Sequence, residues 1–288
     1  MTVHLGLIGG SGLYGLVLDD AEWRPIETPW GAPSDAILTG RLGGMPVSFL
    51  PRHGRSHVHA PGELPARANI AALRMLGVTD VVSISAVGSF REKMAPGDIV
   101  VVDQFVDRTV GRPASFFGTG CVAHVSLAQP TCPRLSRLAA DAAEAAGATV
   151  HRGGTYLCME GPQFSSRAES RLWREVWGCD VIGMTALPEA RLAREAELCY
   201  ATVAMVTDYD SWHEGHGAVD VAAVLAVLAA NVALARDLAT LLPERLAERG
   251  MPCRDGCDRA LDHALITAAD RRDPALLERL RTIAGRVL

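Results

Sequence analysis

The sequence predicts an α/β protein built on a largely central sheet. Short β-branched runs alternate with amphipathic stretches along its 288 residues, the pattern of strands and helices layered on one sheet. Proline stands where helices begin (Pro133, Pro188) and glycine where they end (Gly77, Gly147, Gly178). Nearly half of the residues, 49%, are hydrophobic, which is enough to bury a sizeable core.

In chain order, strands are predicted at residues 3–8, 47–50, 80–84, 98–102, 180–182 and 201–206, where β-branched and apolar residues cluster. Helices are predicted at 66–76, 133–146, 166–176, 188–196 and 219–241, where apolar residues recur with helical spacing. Residues 107–132 are rich in Gly, Pro, Ser and Thr and have no period. A loop of that length in a compact domain usually carries function or meets a partner. The pattern of 258–288 reads as helical. The expected organisation is a catalytic domain over 1–250 and a C-terminal helical arm over 251–288, packed on the same domain.

Charge excludes some functions. Lys plus Arg number 28 and Asp plus Glu 33, a formal net charge of −5, and no Lys/Arg-rich block is present. Backbone-driven nucleic-acid binding is therefore not expected. The apolar start, residues 5–18, is broken by glycines and has no basic region before it, so it is a poor export signal. Residues 219–242 are long and apolar but carry Asp220, Asn231, Arg236 and Asp237, which suits a core helix and not a membrane span. The seven cysteines are odd in number and mostly scattered. They read as buried free thiols of a cytoplasmic protein. Cys253 and Cys257 form a C-x3-C pair, but with only His263 nearby in sequence no metal site is expected.

Five segments carry chemistry. Gly10-Ser11-Gly12-Leu13-Tyr14-Gly15 matches a dinucleotide fingerprint, which needs a helix to follow it. Asp19, Asp20, Pro25, Pro29, Gly31 and Pro33 follow instead. A plain anion-approaching loop and an ordinary tight turn both remain open there. Arg52-His53-Gly54-Arg55-Ser56-His57 reads as an anion cluster, because arginine forks pair with phosphate oxygens; a solvated basic turn is the alternative. Ser83-Ile84-Ser85-Ala86-Val87-Gly88-Ser89 is a strand end that offers hydroxyls and backbone N–H groups. Gly183-Met184-Thr185 is a fourth such segment, although methionine alone is more often core. Thr207-Asp208-Tyr209-Asp210 closes a very apolar strand. A carboxylate at that sheet edge stands where α/β proteins bind ligands, and desolvation would raise its pKa so that it carries a proton. Helix capping explains Asp208 poorly, since the next helix starts near residue 219.

These segments resemble the nucleoside phosphorylase superfamily, most closely its branch acting on 5′-methylthioadenosine. The matching strings are IGGSGL (8–13), ETPWGAPS (27–34), RHGRSH (52–57), ANIAAL (68–73), PGDIV (96–100), DQFVDRT (103–109), MEGPQFSSRAES (159–170), MTALPEA (184–190) and AMVTDYD (204–210). The resemblance runs from about residue 5 to 242. It implies a single-domain, three-layer α/β fold with a mixed, partly barrel-like sheet surrounded by helices. It implies reversible phosphorolysis of 5′-methylthioadenosine to adenine and 5-methylthioribose 1-phosphate, a pentosyl transfer. Inorganic phosphate would be co-substrate, with no metal or organic cofactor, and the assembly a cytoplasmic homotrimer.

By this resemblance phosphate is held by Ser11, Arg52, His53, Ser85, the Ala86 backbone and Thr185. The ribose hydroxyls meet the Met184 segment, and Phe164 and Ser165 border the purine. Asp208 and Asp210 face N7 and the 6-amino group, with Asp208 as general acid. Val221 and Val224 line the 5′-methylthio pocket with His57 nearby, and His124 reaches in from a neighbouring subunit. Ser11 and Ser85 stand where the family commonly has Thr, and Gly183 where it often has Asn. The alternatives are a purine nucleoside phosphorylase of other specificity (inosine, guanosine or methylthioinosine), an NAD-dependent oxidoreductase, and a nucleoside binder without catalysis.

Overall fold

A computed structural model describes residues 3–214, 221–246 and 252–288. Its strands are β1 (Leu5–Gly9), β2 (Asp19–Arg24), β3 (Ile37–Leu42), β4 (Met45–Pro51), β5 (Asp80–Ser89), β6 (Ile99–Val102), β7 (Gln104–Arg108), β8 (Val150–Arg152), β9 (Thr155–Met159), β10 (Val181–Gly183) and β11 (Cys199–Asp208). The helices are α1 (Ala66–Met75), α2 (Pro133–Ala145), α3 (Arg167–Arg171, continuing as a π-turn to Val176), α4 (Ala186–Glu195), α5 (Val221–Leu246) and α6 (Pro274–Ala284).

All eleven strands form one mixed sheet, ordered β2-β3-β4-β1-β5-β10-β9-β7, with β11 joining β5 to β6 and β6 pairing β8. The pairings close a circuit. β6 and β7 are separated by Asp103 alone, and β8 and β9 by Gly153 and Gly154. Both parallel ladders, β6 on β8 and β7 on β9, therefore belong to one bent ribbon. β10 links β9 to β5, and β11 links β5 back to β6. Gly153 makes the bend with φ +88°, a backbone region that side chains resist. This circuit is the partly barrel-like sheet the resemblance implies.

Strand alternation divides the core into two faces. Ile8, Val81, Val87, Tyr200, Ala204 and Val206 pack towards α1, α4 and α6. Leu5, Leu7, Val82, Ile84, Ala201, Val203 and Met205 pack towards α2 and α5. The result is helix, sheet and helix in three layers.

The tail corrects the sequence reading. Of 258–288 only Pro274–Ala284 is α-helix; the rest is loop with short 3-10 turns at Cys257–Arg259 and Ala269–Arg271. It is nevertheless held in the core through Leu261, Ala264, Leu280, Ile283 and Ala284. The 107–132 segment opens on the end of β7 and then runs without regular elements, pinned by buried Phe116, Phe117 and Cys121 and by a bridge from Ala123 to Leu265.

Candidate active site

The site begins with a vacancy in strand pairing. On one edge of β5, β1 accompanies only Asp80 to Ser83, and β10 arrives only at Gly88 and Ser89. On the other edge β11 accompanies β5 from Asp80 to Gly88. Residues 84–87 thus have an edge without a strand. The N–H and C=O of one residue point to the same side, and the side alternates along a strand. The Ile84 carbonyl opens into this notch, where it accepts from Arg52 Nη1 at 2.9 Å. By alternation the Ala86 N–H opens there too, a backbone donor suited to an anion. Such a notch, where partners change at the C-terminal ends of parallel strands, is where α/β sheets bind ligands.

Arg52 lies at the notch through its bond to the Ile84 carbonyl. Its guanidinium is 2% exposed and is committed to the fold. Nε donates to Glu189 Oε2 at 3.1 Å, Nη2 to Ser83 Oγ at 2.7 Å, and Nη1 to Ile84 O. It holds the floor of the notch and does not reach into it as a free fork. Arg55 is likewise paired, with both Asp35 oxygens at 2.9 and 3.0 Å. The two arginines of the 52–57 segment are answered by acids that the sequence places 20 and 137 positions away. That is why the segment reads as free positive charge from sequence alone.

His53 is 8% exposed. Burial pushes its pKa down to about 4, so it is neutral at ordinary pH. Its Nδ1 lies 2.9 Å from the His59 carbonyl. A carbonyl only accepts, so Nδ1 carries the proton and Nε2 keeps a lone pair. His57 stacks on it, ring centroids 4.1 Å apart. The chain turns there through positive φ at Ser56 and His57, a strained tip of the kind that clusters at binding sites.

Ser85 has a buried hydroxyl whose protein neighbour is the Tyr156 hydroxyl. Thr185 precedes α4 yet makes no side-chain cap. Between them lies a residue the sequence reading missed. The Tyr156 hydroxyl is buried beside Ser85 and Thr185, and a Cβ built on Gly183 would lie 2.0 Å from it. Gly183 is therefore glycine because Tyr156 occupies the space of its side chain. Met184 packs over Gly161, and its carbonyl accepts from Arg112 Nη1 at 2.7 Å. The Gly10–Gly15 loop forms only a 3-10 turn, Ser11–Leu13, and then leads towards β2. A dinucleotide fold's helix is absent from it. The Ser11 side chain lies outside the described residues, as do those of Val221 and Val224.

The acidic end lies beside the notch, since Asp208 aligns with Gly88 across β11 and β5. Asp208 Oδ2 accepts from Thr207 Oγ1 at 2.7 Å and Oδ1 from the Asp210 N–H at 2.8 Å. Burial raises its pKa, against the pull of these two bonds. Asp210 is more engaged than expected. Ser165 Oγ donates to its two oxygens at 2.7 and 2.8 Å, and Ser170 Oγ donates to Oδ2. Its carboxylate fastens the 165–170 segment to the strand end. Phe164, beside that clamp, is an exposed aromatic. His124 is also exposed; its N–H donates to Ala264 O at 2.9 Å, and among the described residues no contact joins it to the Asp208 group.

The chain is a three-layer α/β domain with an anion-suited notch and a buried acid at one sheet edge, the arrangement of a ligand-binding α/β enzyme. The chain belongs to the phosphorylase superfamily, whose family model matches residues 4–242. It is 65% identical over 289 residues to the S-methyl-5′-thioadenosine phosphorylase of Cereibacter sphaeroides, covering 100% of this chain and 99% of that one. It is 55% identical to that of Bradyrhizobium diazoefficiens, covering 99% and 98%. A methylthioadenosine phosphorylase from an Antarctic soil metagenomic library superposes with a TM-score of 0.91 at 42% identity, covering 98% and 99%. A Schistosoma mansoni methylthioadenosine phosphorylase in complex with adenine gives 0.82 at 35% identity, covering 86% and 93%.

Two predictions follow the geometry. Arg52→Met leaves Glu189 buried and unpaired, so it should destabilise the fold by about 3–5 kcal/mol, read as a lower urea midpoint. A variant of full stability would refute the structural role. His53 takes up its proton near pH 6.5 when unfolded but only near 4 when folded. Stability should therefore fall as pH drops through that window, by at most about 3 kcal/mol. His53→Asn should flatten this part of the stability profile measured by chemical unfolding.

Proposed function

We propose that this chain catalyses phosphate-dependent cleavage of 5′-methylthioadenosine to adenine and 5-methylthioribose 1-phosphate. The observation that carries the reading is the adjacency of two unlike groups: a notch of donors at Ser85, Ala86 and Thr185, and Asp208, whose burial favours its proton. The full-length kinship with methylthioadenosine phosphorylases selects the substrate.

Phosphate binds in the notch through those donors and Ser11, above the buried charge of Arg52. His53 Nε2 accepts a hydrogen bond from the O–H of hydrogen phosphate and so orients the dianion. A phosphate oxygen attacks the anomeric carbon as the bond to purine N9 breaks. Positive charge develops on the sugar, and the adjacent dianion stabilises it, so that catalysis is positioning plus electrostatics. The electron pair leaves with the purine, and Asp208 protonates N7 as it departs. Because serines hold Asp210, Asp208 reads the base edge: its O–H donates to N7 and its second oxygen accepts from the 6-amino group. The Met184 segment binds the ribose, Phe164 borders the base, and Val221 and Val224 with His57 surround the methylthio group. No organic cofactor is required. The protein is a cytoplasmic homotrimer in which His124 of one subunit reaches the neighbour's substrate.

Incubation with methylthioadenosine should release adenine only when phosphate is present. Release without phosphate, or faster cleavage of inosine or methylthioinosine, overturns the reading. Asp208→Asn should lower kcat for methylthioadenosine by ~10²–10⁴-fold, the usual range for a lost general acid, and move relative preference towards 6-oxo purines. His124→Ala should raise KM for the nucleoside but leave that for phosphate unchanged. A fully active monomer in sedimentation analysis contradicts the assembly.

A further inference from the structure

Four of the seven cysteines, distant in sequence, meet in the fold. Cys132 immediately precedes α2, Cys199 opens β11, and Cys253 and Cys257 lie on the segment after α5. Their sulfurs all lie within 4.8 Å of one another, with Cys132 Sγ and Cys253 Sγ 4.0 Å apart. All four are buried, and no disulfide joins them. Four sulfurs about 2.3 Å from a central ion lie about 3.8 Å apart along each tetrahedral edge. A disulfide instead requires a pair at about 2.05 Å. The quartet has the spacing of a shared centre.

Polar groups surround the sulfurs. Cys132 stands at the N-terminus of a thirteen-residue helix, α2, whose unpaired N–H groups stabilise negative charge. Gly256, at φ +72°, turns the chain between the last two cysteines, and its N–H donates to Cys253 O at 3.0 Å. Arg134 borders Cys199 and its guanidinium interacts with that sulfur, which places a buried cation beside the quartet. Asp255 Oδ2 lies 3.6 Å from Cys132 Sγ and 4.0 Å from Cys253 Sγ, where it accepts thiol protons. It also accepts the Arg134 backbone N–H at 3.3 Å, a bond it retains once the thiols ionise.

We propose that Cys132, Cys199, Cys253 and Cys257 form a structural zinc site. Zn²⁺ displaces four thiol protons and makes four Zn–S bonds, leaving a tetrathiolate of charge −2 that Arg134 partly offsets. All four positions are filled by protein, so none is open for chemistry. Cys199 and Asp208 occupy opposite ends of the ten-residue strand β11, roughly 30 Å apart at ~3.3 Å per residue. The ion acts as a clip joining the segment after α5 to β11 and α2, remote from the reacting atoms.

The test uses the full chain, tag removed, reduced and dialysed free of loose metal after exposure to zinc. Elemental analysis should find about one zinc per chain, released by a mercurial thiol reagent. Cobalt in its place should show the intense thiolate charge-transfer absorption and visible bands of a tetrahedral site. The double variant C253S/C257S should lose both the zinc and the cobalt spectrum. Since Cys→Ser also perturbs packing, the native chain decides. Zinc-free protein after this treatment, iron bound in zinc's place, or disulfides re-forming within the quartet in preference to binding would each overturn the proposal.

Discussion

The structure turns on an edge of β5 that no strand covers. Buried backbone groups must find partners, and a strand flanked by β1 below and β10 above leaves 84–87 to be satisfied by other means. Arg52 answers the Ile84 carbonyl, and Glu189 answers Arg52. Tyr200 Oη donates to the second Glu189 oxygen at 2.7 Å, and Thr202 Oγ1 donates to Tyr200 Oη at 3.1 Å. This chain of buried bonds runs from the notch through α4 to β11. A buried ion pair of this kind is a weak source of net stability and a strong constraint on geometry, since removing either partner strands the other. It fixes the width of the notch. It also places the Arg52 guanidinium, paired with Glu189, beneath the notch.

The acid at the other side of the site depends on the same sheet. β11 is buried from Ala201 to Val206, with Thr202 the one polar residue in that stretch, and then delivers Asp208 to the boundary between core and solvent. There burial works against ionisation, while the Thr207 hydroxyl and the Asp210 amide work for it; burial prevails. Asp210 holds Ser165 and Ser170, which fastens the 165–170 segment to the strand end. His53 achieves neutrality by the same means with the opposite charge type. His53 thus enters the site with a lone pair free to accept a hydrogen bond, and burial shifts Asp208 towards its protonated form.

Much of this was legible in the sequence. The long apolar strands β5 and β11 and helices α1, α2, α4 and α5 announce themselves by periodicity, and the hydroxyl-rich and acidic strand ends mark their own sheet edge. β2, β3, β7, β8 and β9 were not foreseen. They are short, or polar like Asp19–Arg24, and become strands only because a neighbour pairs with them. The tail failed differently. Its Leu and Ala spacing suits a helix, but Leu261 and Ala264 are buried by docking on the 121–125 segment and not by a helical face. The partners of Arg52 and Arg55 were invisible for a related reason: charge complementarity across 137 positions belongs to topology, not to spacing. Tyr156 could have been suspected, since a glycine at 183 beside a ligand-binding Met-Thr pair raises the question of what fills its side chain's place.

The polarity of β11 explains why one domain can be both reactive and rigid. Parallel strands present their C-terminal ends, and the loops that follow them, on one edge of the sheet. Asp208, Ser85 and Ala86 lie at that edge, where groups must stay open to a ligand. Local instability there is the price of function. The N-terminal ends of the same strands form the opposite edge, where every group can be tied down without affecting the ligand. Asp80 opens β5 beside Cys199 at the start of β11, and Arg134 binds Asp80 from α2. The cysteine quartet gathers at this same place. A strand clamped at its origin transmits little slack to its end, so constraints on Cys199 and Asp80 also hold the geometry of Asp208 and Ser85 at the far edge of the same two paired strands.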